Sequence, residues 1–206
     1  MKRLFTGLTF LAILASCNQQ PASNQENNTA ENNAPEVTYT LVTDSMSVIK
    51  WRGEVLGVKE HYGTVNFKEG TITVKGNTLA GGSFVADLTT IKPTDSNYDV
   101  KQGHTPEKLV AHLSSPDFFD VKNYPTATFK IDSVSGNTAT GTLTIRGKSN
   151  TETLTDVVIT EAENGIKASG KLNFDRKKYD VSFDMPVKDM VLSNNISLTI
   201  ELTAKK

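Results

Sequence analysis

Over its second half the chain alternates apolar and polar residues with a period of two. Ile196, Leu198, Ile200 and Leu202 interleave with Ser197, Thr199, Glu201 and Thr203, and Ile166, Ala168, Gly170, Leu172 and Phe174 interleave with Lys167, Ser169, Lys171, Asn173 and Asp175. Ala139, Gly141, Leu143 and Ile145 run against a ladder of threonines from Thr138 to Thr144, and Phe84, Ala86 and Leu88 run against Val85 and Asp87. Successive residues of a strand point to opposite faces, so each stretch predicts a strand with one buried face. Gly76–Asn77, Ser135–Gly136–Asn137 and Glu163–Asn164–Gly165 supply turns between such runs. No internal repeat is evident. Strand after strand at hairpin spacing predicts an all-β antiparallel sandwich or barrel.

One segment departs from this pattern. Thr105–Pro106–Glu107–Lys108–Leu109–Val110–Ala111–His112–Leu113 has a capping Thr, Pro at the first helical position, and Leu109 and Leu113 four apart. These features predict a short helix. It runs into Ser114–Ser115–Pro116–Asp117–Phe118–Phe119–Asp120. Adjacent phenylalanines cannot share one face of a strand, so they either plug the end of a barrel or touch a ligand.

The N-terminus adds a destination. Lys2–Arg3 precedes the short apolar run Leu8–Ser16, the form of a secretory leader and too short for a lasting transmembrane helix. Leu14–Ala15–Ser16–Cys17 resembles a bacterial lipobox, which predicts cleavage after residue 16 and acylation of Cys17, the sole cysteine. An ordinary leader with a chance cysteine is the alternative, but it exports an unpaired thiol to an oxidising space. Residues 17–36 form a polar stretch of Asn, Gln, Ala, Glu, Ser, Thr and Pro that cannot bury enough apolar surface to order itself, a tether. Asn18, where many inner-membrane lipoproteins carry Asp, points to the outer membrane, facing the periplasm. Residues 37–206 remain for one domain with a sizeable core. Without Lys2 and Arg3, 20 of the 22 basic residues face 23 acidic ones. No basic stripe appears, which argues against nucleic acid as a partner.

Within that domain, His112–Leu113, Asp117–Phe118–Phe119–Asp120 and Tyr124–Pro125–Thr126–Ala127–Thr128–Phe129 closely resemble the YceI-like family of lipid-binding proteins. Supporting matches lie in order on either side: His61–Tyr62–Gly63–Thr64–Val65–Asn66–Phe67, Gly141–Thr142–Leu143–Thr144–Ile145–Arg146–Gly147–Lys148, and Phe174–Asp175–Arg176. The resemblance implies an extended, eight-stranded antiparallel barrel of lipocalin-like shape, with a polyisoprenoid or similar amphiphile held in its bore and no catalysis. Two departures stand out. Asp180 sits where the family usually has Gly, and Ser193–Asn194–Asn195 replaces a turn that tends to carry Asp.

The residues themselves also speak for a bore. Ala86, Ala139, Gly141, Ala168 and Gly170 are small for a solid core, although small inward residues also suit barrel corners. The expected ligand-binding wall is Phe84, Ala86, Leu88, Gly141, Leu143, Ala168, Gly170 and Leu172, with Phe118 or Phe119 near one end. Arg146, Lys148 and Arg176, with Lys177 and Lys178, are the candidate headgroup contacts, and solvated surface charge is their plainer reading. His61, His104 and His112 lack close metal-ligand spacing, so no metal site is expected, and His112 is expected to be hydrogen-bonded at the helix end. No cofactor is expected beyond a bound prenyl or quinone-like lipid. Nucleophile-elbow, His-Glu-x-x-His and phosphate-loop motifs are all missing, which argues against an enzyme. Asp117 and Asp120 make the one carboxylate pair, and either can equally cap a turn. A tethered adhesion domain without a bore is the competing class.

Overall fold

The computed structural model describes residues 34–44, 46–187 and 190–206. The leader, Cys17 and most of the tether lie outside the described residues. Nine strands follow one another: β1 (Glu36–Leu41), β2 (Val48–Val55), β3 (Lys59–Lys75), β4 (Thr78–Pro93), β5 (Thr126–Ser135), β6 (Thr138–Ile145), β7 (Lys148–Ala162), β8 (Gly165–Asp175) and β9 (Asn195–Lys205). Helix α1 (Pro106–Ser114) lies between β4 and β5.

Every neighbouring pair is antiparallel, and the order β3-β2-β9-β8-β7-β6-β5-β4 returns to β3 through the β3–β4 pairing. The sheet therefore closes into an eight-position barrel without a free edge, the liability that closure removes. The ninth strand needs no position of its own. β1 pairs with β3 at Glu36↔Lys75 through Thr40↔Thr71, and with β9 at Leu41↔Ala204. β2 pairs with the same two strands further along, at Val48↔Asn66 and Val48↔Glu201. β1 and β2 are thus two halves of one barrel position. Ser47, at the join, is buried; its Oγ donates to the Thr203 carbonyl at 3.3 Å and accepts from the Thr203 N–H at 3.0 Å.

The turns form where the sequence asks for them. Gly76–Asn77, Gly136–Asn137 and Glu163–Asn164 close hairpins at one end of the barrel, the end where β1 begins and β9 finishes. At the opposite end lie the β2–β3 hairpin, the β6–β7 hairpin and the two long connections, residues 94–125 and 176–194. Arg146 and Gly147 both have positive φ, 50° and 70°, the geometry of a tight hairpin turn that matches strand twist. Asp180 also sits at positive φ, 58°. Asp tolerates this region better than most side chains, which suits it to a position where the resemblance implies Gly.

Helix α1 forms as expected. Thr105 accepts from the Lys108 N–H at 3.3 Å, Pro106 opens the helix, and Leu113 is buried beneath it. Two apolar clusters fill the barrel. The hairpin-end cluster holds Leu41, Phe67, Ile72, Val74, Leu79, Ile131 and Ala139. The loop-end cluster holds Val65, Leu88, Ile91, Leu113, Phe118, Leu172 and Phe174.

Candidate ligand cavity

Inward positions of all eight barrel strands leave a cavity of about 230 Å³ between the two clusters. Ile49, Trp51 and Gly53 come from β2, Val65 and Phe67 from β3, and Phe84, Ala86 and Leu88 from β4. Ala127 and Phe129, Leu143 and Ile145, Leu154 and Val157, and Ala168, Gly170, Leu172 and Phe174 continue the wall round through β5 to β8. Ile196, Leu198, Ile200 and Leu202 of β9 complete it. At the hairpin end it closes on buried Ile72 and Leu79. At the loop end the lining includes half-buried Leu109, Phe119, His61, Glu54 and Leu192, so the ionisable residues of the wall lie there.

The structure brings the expected wall residues to this cavity with one exception. Phe84, Ala86, Leu88, Leu143, Ala168, Gly170 and Leu172 all line it, and Phe118 and Phe119 both lie on it beneath α1. Gly141 does not. An added Cβ there would fall 2.4 Å from the Lys130 carbonyl and 2.7 Å from the Phe129 ring, so Phe129 leans over Gly141 and takes the cavity face itself. Ala139 likewise packs solidly in the hairpin-end cluster. Small residues on this sheet therefore serve two ends: Ala86, Ala168 and Gly170 leave space, whereas Gly141 admits a neighbouring ring.

The candidate headgroup cations are committed elsewhere. Arg176 is fully buried, not a surface charge. Its guanidinium donates to the carbonyls of Val181 at 2.7 Å, Ser193 at 3.0 Å and Leu192 at 3.4 Å, and to Asp184 at 3.3 Å. Lys177 first, and then Arg176, hold the exposed Asp184 carboxyl below its ordinary range against a small burial cost. Arg146 donates to the carbonyls of Phe118 at 2.6 Å and Asp180 at 2.7 Å, tying two connections together. Exposed Lys148 pairs with Asp180 at 3.1 Å, and Lys178 stands 3.8 Å from Glu152. Buried Glu152 in turn accepts from the Tyr179 hydroxyl at 3.0 Å. Burial, and then that carboxylate, push the Tyr179 hydroxyl upward.

The histidines do not converge. Among the described residues no group of three or more His, Cys, Asp or Glu side chains is placed to hold a metal ion. His104 is exposed, and the His112 ring packs edge-on against Phe118 and Phe183 in place of the hydrogen bond expected for it. Asp120 is buried and accepts from the Asn123 amide at 2.9 Å, while Asp117 is exposed, so the carboxylate pair resolves into turn geometry.

His61 is the exception. It shares the inward face of β3 with Val65 and Phe67, and its ring lines the cavity. Its Nδ1 lies 3.1 Å from the Asp95 carboxylate, whose side chain is completely shielded from solvent. Asp95 also accepts from the N–H groups of Asn97 at 2.9 Å and Tyr62 at 3.2 Å, and from the Tyr98 hydroxyl at 3.0 Å. Burial opposes its charge, but these donors and His61 outweigh it and hold the Asp95 carboxyl below the usual carboxylate range. Tyr98 stacks on the His61 ring at 5.1 Å between centroids. Asp95 lies in an irregular connection, with no periodicity to announce it.

A closed antiparallel barrel with a through-wall of apolar side chains and a helix across one end is a lipocalin-like binding scaffold in architecture. The YceI-like domain profile matches residues 39–204, and the chain belongs to the YceI-like family. Among solved structures, BcnA of Burkholderia cenocepacia is similar at 21% identity over 78% of this chain and 98% of that one, with a TM-score of 0.58. A polyisoprenoid binding domain from Saccharophagus degradans is similar at 13% identity over 81% of this chain and 97% of that one, with a TM-score of 0.53. At these identities the likeness establishes the shared fold. No curated protein shows significant similarity to the chain.

Proposed function

We propose that the protein is a membrane-tethered binding protein that holds a polyisoprenoid or similar long amphiphile in the barrel, without changing it chemically. The observation that carries this reading is the cavity: all eight barrel positions contribute apolar wall, and the ionisable lining residues are gathered at one end. Such a space suits a chain with one polar tip. Burying each methylene contributes roughly 0.8 kcal/mol, so affinity accumulates along a chain rather than at a point. The polyisoprenoid binding domain that shares the fold supports the same ligand class. An adhesion domain would have no use for unfilled space, which forfeits packing in its core. Acylation at Cys17 and export to the periplasmic face of the outer membrane complete the reading, keeping the barrel near a source of insoluble ligand.

The test is solvent extraction and native mass spectrometry of the purified protein, compared with Ala86→Phe. A prenyl or similar long-chain lipid is expected with the native protein and a marked depletion in the variant, whose ring would occupy the cavity. An empty native protein would overturn the proposal. Separately, Cys17→Ser should move the protein from the membrane pellet to the soluble fraction, and retention in the pellet would remove the acyl anchor.

A further inference from the structure

We infer that His61, held by Asp95, is the acceptor for the polar tip of the bound amphiphile, and that this tip is an uncharged hydroxyl group. The inference rests on the lipid-binding reading above and specifies its headgroup.

The argument begins with what the wall offers. Among the described residues, the ionisable residues lining it are Glu54, His61 and Arg176. All three guanidinium nitrogens of Arg176 already donate, to three carbonyls and to Asp184. Glu54 shares a face of β2 with exposed Arg52, the face opposite Trp51 and Val55, and pairs with it at 3.4 Å, and Arg52 also holds Glu60. Among the described residues, an anionic tip such as a phosphate would meet no uncommitted permanent cation on the wall. It would lose hydration without a charged partner to replace it.

An uncharged hydroxyl meets a better-matched group. A carboxylate beside Nδ1 requires that nitrogen to carry the proton, since two acceptors would repel. In the neutral ring this leaves the lone pair on Nε2. The only hydrogen bonds His61 makes through its side chain go from Nδ1 to Asp95, so Nε2 has no partner among the described residues. Tyr98 stacks on the ring, and Asp95 is fixed by Asn97, Tyr62 and Tyr98. The imidazole is oriented from behind, with its remaining acceptor uncommitted at the loop end of the apolar cavity. The charged groups on the packed elements are Asp95, Glu60 with the Arg52 that pairs with it, and Glu107 acting on Tyr98 from α1. Of these, Asp95 alone makes a hydrogen bond with the ring, so the charge in direct contact with it is negative.

Trp51 is the chain's single tryptophan and lines the cavity, so its fluorescence reports occupancy. The delipidated protein would be titrated with geranylgeraniol, its methyl ether and geranylgeranyl phosphate, which share a chain and differ at the tip. The alcohol is expected to bind roughly threefold to tenfold more tightly than the ether, the range for one net hydrogen bond. His61→Ala should reduce alcohol binding to the ether's level and leave the ether unchanged, and Asp95→Asn should move the alcohol part of the way. Equal binding of alcohol and ether by the native protein would overturn the assignment while leaving the lipid-binding reading intact. So would tighter binding of the phosphate, or an equal loss of both neutral ligands in His61→Ala. No Trp51 response to any of the three probes would overturn the lipid-binding reading and this subsite together.

Discussion

Replacing Arg176 with Met removes a buried charge while keeping most of the side chain's length. The guanidinium makes two short bonds to backbone carbonyls, 2.7 Å to Val181 and 3.0 Å to Ser193, with longer ones to Leu192 and Asp184. Hydrogen bonds from a charged donor contribute about 1.5–3 kcal/mol each, so the two short ones set a scale of roughly 3–6 kcal/mol. Met packs well and spares the desolvation of a cation, which offsets part of the loss. The net expectation is a destabilisation of about 3–5 kcal/mol. For a domain of this size each kcal/mol lowers Tm by roughly 2–4 °C, so a fall of about 6–20 °C should appear by circular dichroism. Arg176→Lys should fall only partly less, because one ammonium cannot reach acceptors fanned over Val181, Ser193 and Leu192. A Met variant within about 3 °C of the native protein, or a Lys variant equal to it, would refute the account of residues 176–194 as a connection organised around this side chain.

Gly141→Ala should destabilise by about 1–3 kcal/mol, since the new methyl meets a backbone carbonyl and the Phe129 ring, whereas Gly170→Ala should cost less because it meets the movable Leu154 side chain; urea melts of the two would separate them. Asp95 has its folded-state carboxyl below the ordinary value, so its contribution to stability is present above the unfolded pKa near 3.9 and is lost as pH falls through the folded one. The stability gap between the native protein and Asp95→Asn should therefore narrow below about pH 4 in denaturant titrations; a constant gap from neutral to acid pH would contradict it.

The barrel wall was legible because its chemistry is local. Period-two alternation in β6, β8 and β9 and the Gly–Asn turns specify which face is buried, and Thr105 with Pro106 marks the helix start. Gly141 misled because alternation reports which face a residue is on. It does not report whether a neighbour such as Phe129 crosses in front. Arg176 misled for a related reason: in sequence it sits among Lys177, Lys178 and Asp180 and looks solvated. Its burial depends on Val181, Ser193 and Leu192 wrapping round it, contacts up to 17 residues away. Asp95 is the hardest kind to foresee. It acts on a residue 34 positions earlier, through a loop whose course only the closed barrel determines.

The chain enters the barrel at Glu36, at the hairpin end, while the ionisable residues of the cavity wall lie at the other. A strand of the length of β8, rising about 3.3 Å per residue and tilted by roughly 40°, spans on the order of 28 Å along the barrel axis. If Cys17 is the anchor, the barrel hangs by its foot. Its loop end then faces away from the anchoring bilayer in the upright pose, a barrel's length from the point of attachment.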